Sequence, residues 1–182
     1  MIKLDFKKFT LYLFILIFIF FLDRISKIYI LNILDKSGEV DIYVNKFLSL
    51  ILIWNKGIGF GLLSFEGSKF YNFITLLITL INLFIFYLVI TSDILRSFFY
   101  IIILGGSSGN LFDRFYYSAV PDFIDLHYQG FHWFIFNVAD IFISLGIICL
   151  ILKEFNGGKV TDNETLNAIK RLFNNFGIIS DP

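Results

Sequence analysis

The chain has 182 residues, of which 57% are hydrophobic and only 16% are charged, and its mean hydropathy is +0.78. Soluble domains average about 25% charged residues, so these few charged side chains cannot cover the apolar surface of so short a chain in water. The 15 basic and 15 acidic residues balance, which leaves no cationic excess for binding nucleic acid. A single cysteine, Cys149, excludes an internal disulfide and a zinc site built from cysteines.

Four apolar segments are long enough to cross a bilayer, which takes about 20 mostly apolar residues. They are residues 9–32, 70–91, 94–112 and 133–153. Lysines precede the first segment, as in a signal peptide, but no small-residue cleavage site follows it, so we predict an uncleaved span. The sequence predicts an α-helical integral membrane protein with four transmembrane helices in one domain, residues 1–155, followed by a cytoplasmic tail, residues 156–182.

The orientation follows from the short connection and from the basic residues. Only Ser92 and Asp93 separate the second and third spans, which predicts an antiparallel hairpin, and four spans put both termini on one side. Basic residues at the amino terminus, near the hairpin and after the last span indicate that this side is cytoplasmic, although five others oppose it. Residues 33–69 and 113–132 then face outward.

The first outward segment has the composition of strands. Residues 41–44 and 48–54 are rich in β-branched and aromatic side chains, and Asn45-Lys46 between them is typical of a turn. We therefore expect a small extracytoplasmic β-sheet between helices 1 and 2.

Ionisable residues at membrane depth cost about 2.5–3.5 kcal/mol each, so each of them needs an explanation. Asp23 and Lys27 are four residues apart on one helix face. They form either a structural ion pair or a pair that also orients neighbouring site residues. Asn110 and Arg114, one turn apart at the end of the third span, project together, and helix packing alone does not explain them.

Two carboxylates at the outer membrane edge could activate water. Asp140 opens the fourth span, where Asn137 is a good N-cap and the helix dipole favours an acid, so Asp140 alone could simply be a capping residue. Asp122 and Asp125 lie in the segment before it, and the residues alone do not separate them as the partner of Asp140. Paired carboxylates share a proton, so that one acts as general base and the other polarises the scissile carbonyl.

Other chemistries fit less well. His127 and His132 are five residues apart with no Glu or Cys at ligand spacing, so we predict no metal site. Ser26 and Lys27 are adjacent and would point about 100° apart in a helix, which is poor geometry for a serine–lysine dyad. The glycines after Asn55 lack the context of a phosphate loop and are typical of a turn.

Four blocks, in order over about residues 22–152, resemble lipoprotein signal peptidases (signal peptidase II), the bacterial intramembrane aspartic proteases. The blocks are Asp23-x-x-x-Lys27; Asn55-x-Gly57-x-x-Phe60-Gly61; Gly105-Gly106-x-x-Gly109-Asn110-x-x-Asp113-Arg114 followed by Asp122-Phe123-Ile124; and Phe136-Asn137-x-Ala139-Asp140. One block alone is weak, but four in this order, together with four spans, are specific.

The resemblance implies an endopeptidase that removes signal peptides from prolipoproteins, cutting before a cysteine that carries a diacylglyceryl group. By position it implies that Asp122 and Asp140 are the catalytic pair, and thereby selects Asp122 over Asp125. Residues that match family positions around the site are Asp23, Lys27, Asn55, Gly57, Asn110, Arg114, Asn137 and Ala139. The resemblance implies that there is no metal or organic cofactor. It also implies a small sheet and a periplasmic helix over the cleft, and both would lie in residues 41–54 and 113–132.

We therefore expect a multi-pass monomer of the bacterial cytoplasmic (inner) membrane that acts on diacylated prolipoprotein among membrane lipids, with its site on the extracytoplasmic side. Asp140, at a helix amino terminus, is the expected base and Asp122 the protonated partner. A small ion- or proton-coupled transport protein is the main alternative. It predicts acids near the bilayer midplane or in a repeat, and neither is visible. A non-catalytic assembly subunit would leave the aspartate pair unexplained.

Overall fold

The computed structural model describes residues 6–57, 68–155 and 171. Within residues 6–57 and 68–155, four helices and four strands follow one another. They are α1 (Phe6–Ser37), β1 (Asp41–Asn45), β2 (Leu48–Asn55), α2 (Ser68–Thr91), α3 (Ile94–Tyr117), β3 (Val120–Tyr128), β4 (Phe131–Phe136) and α4 (Val138–Phe155). As predicted, Ser92 and Asp93 form the short connection between α2 and α3.

Three of the described helices, α1, α2 and α3, are long and apolar enough to cross a membrane. Their outer faces carry large exposed apolar side chains such as Phe14 and Phe84, a surface that lipid solvates better than water. Length and composition thus single out three spans where four were predicted. The fourth helix, α4, has only 18 residues and includes Asp140, Lys153 and Glu154.

The expected start of the fourth span at residue 133 is wrong, because residues 133–136 belong to strand β4 and α4 begins at Val138. The run from Phe131 to Phe136 is aromatic and apolar, and such a run fits a strand as well as a helix. Pairing decides between them, since Phe136 lies opposite Ile124 and Phe131 lies opposite Tyr128 in β3.

The sheet has four antiparallel strands in the order β1-β2-β3-β4. The hairpin β1–β2 lies between the first two helices as predicted, but half of the sheet comes from the connection between α3 and α4. The expected helix over the cleft is also not found in residues 113–132, which contain the end of α3 and the β3–β4 hairpin. Most of β3 is buried, so its sequence lacks the alternation that marks a half-exposed strand.

Helix α3 lies at the centre of the bundle and contacts the other three helices. At one end, Tyr12 of α1, Val89 of α2 and Phe99 of α3 form an apolar cluster. At the other end, Ile30 of α1 packs with Phe123 of β3. The sheet therefore closes one end of the bundle, where the polar side chains of α1, α3 and α4 gather.

Candidate active site

Asp122 lies near the start of β3, where its side chain is buried. Asn55, at the end of the neighbouring strand β2, donates from Nδ2 to Oδ2 of Asp122 at 2.8 Å. Asn137, between β4 and α4, donates from Nδ2 to the other oxygen, Oδ1, at 2.6 Å. Strand pairing and the turn into α4 thus hold the carboxyl group between two amides.

Both amides are fixed in orientation by backbone donors. The Oδ1 atom of Asn55 accepts from the N–H of Gly57 at 2.8 Å, and the Oδ1 atom of Asn137 accepts from the N–H of Asp140 at 3.1 Å. Because a backbone N–H can only donate, each amide must turn its NH₂ group toward Asp122. Burial, together with the charge of Asp140, nevertheless raises the pKa of Asp122 from its ordinary value of 3.8 to about 7.

Asp140 lies in the first turn of α4 and is 6% exposed. Its Oδ2 atom accepts from the backbone N–H of Asn137 at 3.1 Å, and its Oδ1 atom accepts from Nδ2 of Asn110 at 2.9 Å. Asn137 and Asp140 therefore cap the helix reciprocally, as the capping interpretation required. Asn137 also joins the two acids, since its side chain donates to Asp122 and its backbone donates to Asp140.

Lys27 is fully buried between α1 and α3. Its ammonium group donates to Oδ2 of Asp23 at 2.9 Å, to Oδ1 of Asn110 at 2.8 Å and to Oδ2 of Asp113 at 2.7 Å. These three acceptors saturate the three N–H donors of a lysine. Since Lys27 occupies the amide oxygen of Asn110, the NH₂ group of that amide is directed to Asp140.

Asp23 does more than pair with Lys27. Its Oδ1 atom accepts from the backbone N–H of Ala139 at 3.0 Å, which ties α1 to the amino terminus of α4. A methyl group at Gly109 would lie 2.5 Å from Oδ2 of Asp23, so this contact needs glycine on the facing turn of α3. The ion pair and the site-orienting role, which the sequence left as alternatives, therefore coexist in Asp23 and Lys27.

Arg114 and Gly57 form the remaining part of the site. The buried guanidinium group of Arg114 donates through Nη2 to the carbonyl oxygen of Gly57 and lies over the ring of Tyr71, with Cζ 5.4 Å from the ring centroid. The hydroxyl group of Tyr71 donates to the backbone oxygen of Arg114 at 2.9 Å. Phe60 and Gly61 of the same sequence block lie outside the described residues.

Sequence reasoning missed Arg24 and Tyr71, and it gave no site role to Asp113, although Asp113 lies in the third family block. Arg24 pairs through Nη1 with Oδ1 of Asp113 at 2.5 Å, Asp113 also binds Lys27, and Tyr71 contacts Arg114. The position of Arg24 inside the first predicted span was an available signal, because charges are rare there, and Asp113 directly follows the third predicted span. Nothing in the local sequence marks Tyr71.

Asp122 and Asp125, the two candidates for the partner of Asp140, lie in different surroundings. Asp122 shares Asn137 with Asp140, whereas the carboxyl group of Asp125 contacts the imidazoles of His127 and His132. All ten predicted site residues are described, and hydrogen bonds connect them into one network. Gly57 joins it by donating to Asn55, and Arg114 joins it by donating to the carbonyl oxygen of Gly57.

Comparison with known proteins identifies the family of this chain. The family described as signal peptidase (SPase) II matches residues 15–156. The lipoprotein signal peptidase of Pelagibacter ubique is 51% identical, covering 88% of this chain and 98% of its own, and that of Rickettsia felis is 36% identical, covering 90% and 87%. A bacterial membrane enzyme solved by the in meso method at 2.3 Å has the same fold, with a TM-score of 0.66, 23% identity and coverage of 85% and 93%. The chain therefore belongs to the lipoprotein signal peptidase (signal peptidase II) family of aspartic membrane proteases.

Proposed function

We propose that this protein removes the signal peptide from diacylglyceryl-modified prolipoproteins by cutting before the lipid-bearing cysteine, with Asp122 and Asp140 activating water. The observation that carries the proposal is the position of Asn137, which donates one hydrogen bond to each carboxyl group. Two acids held by one residue, and coupled through their charges, are suited to sharing a single proton.

The surroundings of the two acids assign their roles. The pKa of Asp122, raised to about 7 by burial and by the charge of Asp140, keeps this acid protonated below neutral pH. Each acid accepts hydrogen bonds from two N–H donors, but Asp140 also lies at the amino terminus of α4, where the helix dipole favours a carboxylate. Asp140 is therefore the base and Asp122 the acid.

The reaction then follows general acid–base chemistry. Asp140 takes a proton from water while the water oxygen attacks the scissile carbonyl carbon, and Asp122 donates its proton to the carbonyl oxygen. In the second half, Asp140 returns its proton to the amide nitrogen, the C–N bond breaks, and Asp122 recovers a proton from the tetrahedral intermediate. The released amine belongs to the lipid-bearing cysteine, and both acids regain their starting states.

The charges around the pair balance. Asp23 and Asp113 are neutralised by Arg24 and Lys27, at separations of 2.5 to 3.1 Å. The guanidinium group of Arg114 interacts with both acids of the pair, and so offsets the one negative charge that remains when they share a proton. The network thus supports a singly ionised pair, in which Lys27, Asn110 and Asn137 act as positioning residues.

We further propose that α4 is a fourth span and that the chain is a monomer with both termini in the cytoplasm. A helix of 18 residues is about 27 Å long, close to the thickness of the hydrocarbon core, and its charged residues lie in its first and last turns. The sheet and the aspartate pair then face outward. Residues 1–155 form the peptidase domain, while the tail, residues 156–182, lies outside the described residues except for Arg171.

The bilayer contributes to substrate recognition in this arrangement. The exposed apolar faces of the helices leave the diacylglyceryl chains of the substrate in contact with lipid and protein, where each buried CH₂ group contributes about 0.8 kcal/mol. A precursor without its diacylglyceryl group lacks this contribution and should be a poor substrate.

Cleavage of a diacylated prolipoprotein by the purified protein in lipid, followed as a shift in gel mobility, tests the proposal. We expect Asp122→Asn and Asp140→Asn each to reduce turnover by about 10²–10⁴-fold, the usual contribution of an acid or base. Asp93→Asn is the matched control, because Asp93 caps α3 at the far end of the bundle and asparagine caps equally well. Substantial turnover by either site variant would contradict the proposal.

A further inference from the structure

The only two histidines of the chain, His127 and His132, meet at a buried carboxylate. His127 in β3 lies directly opposite His132 in β4, and Asp125 is two residues before His127 on the same strand. Residues paired across two strands, and residues two apart along a strand, lie on one face of a sheet. The β3–β4 hairpin therefore brings all three side chains together.

The distances between the three side chains match those within a metal site. Carboxyl oxygens of Asp125 lie 2.8 and 3.0 Å from Nδ1 of His132, and one lies 3.2 Å from Nδ1 of His127. One potential ligand atom from each residue falls within 4.8 Å of the others. Ligand atoms around a tetrahedral zinc ion are about 3.3 Å apart, since each bond is about 2.0 Å long. Small side-chain movements would suffice to bind one ion.

Asp125 is a buried acid whose negative charge would be stabilised by a bound cation. Its side chain is fully buried, and within residues 6–57 and 68–155 its side-chain partners are the two imidazoles, with no lysine or arginine in an ion pair with it. The other fully buried acids, Asp23 and Asp113, are each paired with lysine and arginine. A buried carboxylate is costly unless a positive charge compensates it.

The position of the cluster allows an ion to enter. The side chain of His132 is 56% exposed, whereas that of His127 is 15% exposed, so one side of the cluster is open to solvent and to a water ligand. The backbone N–H of His127 donates to the carbonyl oxygen of Phe47 at 3.0 Å, which fixes this ligand against the start of β2. One open coordination position beside fixed ligands is typical of a three-ligand zinc site.

We propose that Asp125, His127 and His132 bind a divalent transition-metal ion of the zinc class. Two imidazoles and one carboxylate are a donor set that such ions favour. The site does not share its ligands with the aspartate pair, since Asp122 is held by Asn55 and Asn137. A bound ion would join β3 to β4, the strand that leads directly into Asn137.

Titration of the full chain with Zn²⁺ tests the proposal, using protein without a histidine tag, in detergent and stripped with a chelator. We expect one ion per chain with a Kd of about 10 μM or tighter. X-ray absorption should show imidazole scattering. The chain's two histidines are both in this cluster, so that signal can arise only there. A Kd weaker than about 10 μM, or zinc without imidazole ligands, would overturn the proposal.

Single substitutions locate the ion. His132→Gln changes the most exposed ligand and is therefore the variant least able to disturb the fold, and Asp125→Asn keeps the size of the buried side chain. Each should weaken zinc binding by at least about tenfold. Gln129→Asn, in the turn of the same hairpin where φ is 50°, preserves a left-handed residue and should leave zinc binding unchanged. Unchanged zinc affinity in His132→Gln would show that His132 is not a ligand and would overturn the proposal.

Discussion

Two groups of charged side chains, one at each end of the bundle, contain the same chemistry in opposite surroundings. At the α2–α3 turn, two acids and two bases form ion pairs at 2.7–2.8 Å near the surface, namely Asp93, Arg96, Lys153 and Glu154. At the sheet end, two acids and two bases form ion pairs at 2.5–3.1 Å in the interior, namely Asp23, Arg24, Lys27 and Asp113. We call them the surface group and the buried group.

The difference lies in what each group fixes. Exposed ion pairs contribute about 0–1 kcal/mol to the free energy of unfolding. The surface group lies at the α2–α3 turn, where Asp93 already caps α3. Buried charges are costly to desolvate, so the buried group persists because its members satisfy one another and hold other parts in place. It orients Asn110 toward Asp140 and anchors the first turn of α4 through Ala139.

The largest expected difference in stability between the two groups comes from removing one lysine from each of them. Lys27→Met leaves Asp23 and Asp113 short of a buried cation, so we expect a loss of about 3–5 kcal/mol in the free energy of unfolding. Lys153→Met, the matched change in the surface group, should cost no more than about 1 kcal/mol. Chemical denaturation of the two variants in detergent measures both values. Equal losses in the free energy of unfolding would contradict the proposed difference between the buried group and the surface group.

Lys27→Met also tests the positioning role of this lysine. Without its ammonium group, the amide of Asn110 is no longer fixed toward Asp140, so turnover should fall by more than the folded fraction alone explains. Lys27→Arg restores the charge but not the compact point-like donor that three acceptors surround, and should rescue little of the turnover. Full rescue by arginine would show that charge alone matters.

The raised pKa of Asp122 predicts a pH dependence that the surface group should not share. In the proposed mechanism Asp122 must carry its proton to act as the acid. Because the pKa of Asp122 is raised to about 7, the cleavage rate should fall as pH rises above 7. The same shift makes the stability of the protein depend on pH. Between pH 3.8 and about 7, Asp122 holds a proton in the folded protein but not in the unfolded chain. The stability that this proton contributes is therefore present below this window and is lost as pH rises through it.

Melting temperatures of the protein and of Asp122→Asn at pH 5 and pH 8 measure this stability effect. We expect the protein to lose more stability than Asp122→Asn between the two values, because the variant cannot ionise in the site. Asp93→Asn, made at the surface group, should follow the unsubstituted protein across the same range. An identical loss in Asp122→Asn would show that Asp122 does not titrate there.

Gly109→Ala should have an intermediate effect on the buried group. Its methyl group would lie 2.5 Å from Oδ2 of Asp23, and relief of such overpacking typically costs about 1–3 kcal/mol. Displacing Asp23 should also weaken its contact with Ala139 and lower turnover. Ser107→Ala, two residues earlier on the same helix and half-buried, is the control that we expect to change neither unfolding nor turnover.

Local sequence patterns predicted the elements whose partners are near in the chain. The α2–α3 turn and the β1–β2 hairpin lie at the predicted residues, because each depends on a few adjacent side chains. An aromatic run has the hydropathy of a membrane helix, so the sequence predicts part of a span where strand β4 lies, and only pairing with β3 identifies the strand.

In the site as well, local sequence patterns predict only contacts between residues that are near in the chain. Helical spacing placed Asn110 and Arg114 at the same end of α3, and both now contact site residues. In contrast, the contacts of Asp23 with Ala139 and of Lys27 with Asp113 join residues 116 and 86 positions apart, which no local pattern encodes. The sequence has no Glu or Cys at ligand spacing from the histidines, and Asp125 meets His132 only because the β3–β4 hairpin folds back.

The smallest expected effect belongs to the surface group. Partial burial alone would raise the pKa of Asp93, but hydrogen bonds from Lys153 and Arg96 outweigh it and lower the pKa to about 2, so Asp93 is ionised and paired at neutral pH. Arg96→Gln removes one partner and leaves Lys153, and should reduce the free energy of unfolding by less than about 1 kcal/mol. Because salt screens exposed charges, this loss should shrink further at 1 M salt, whereas the loss in Lys27→Met should persist. A loss of several kcal/mol in Arg96→Gln that does not change with salt would mean that the surface group stabilises the fold as strongly as the buried group.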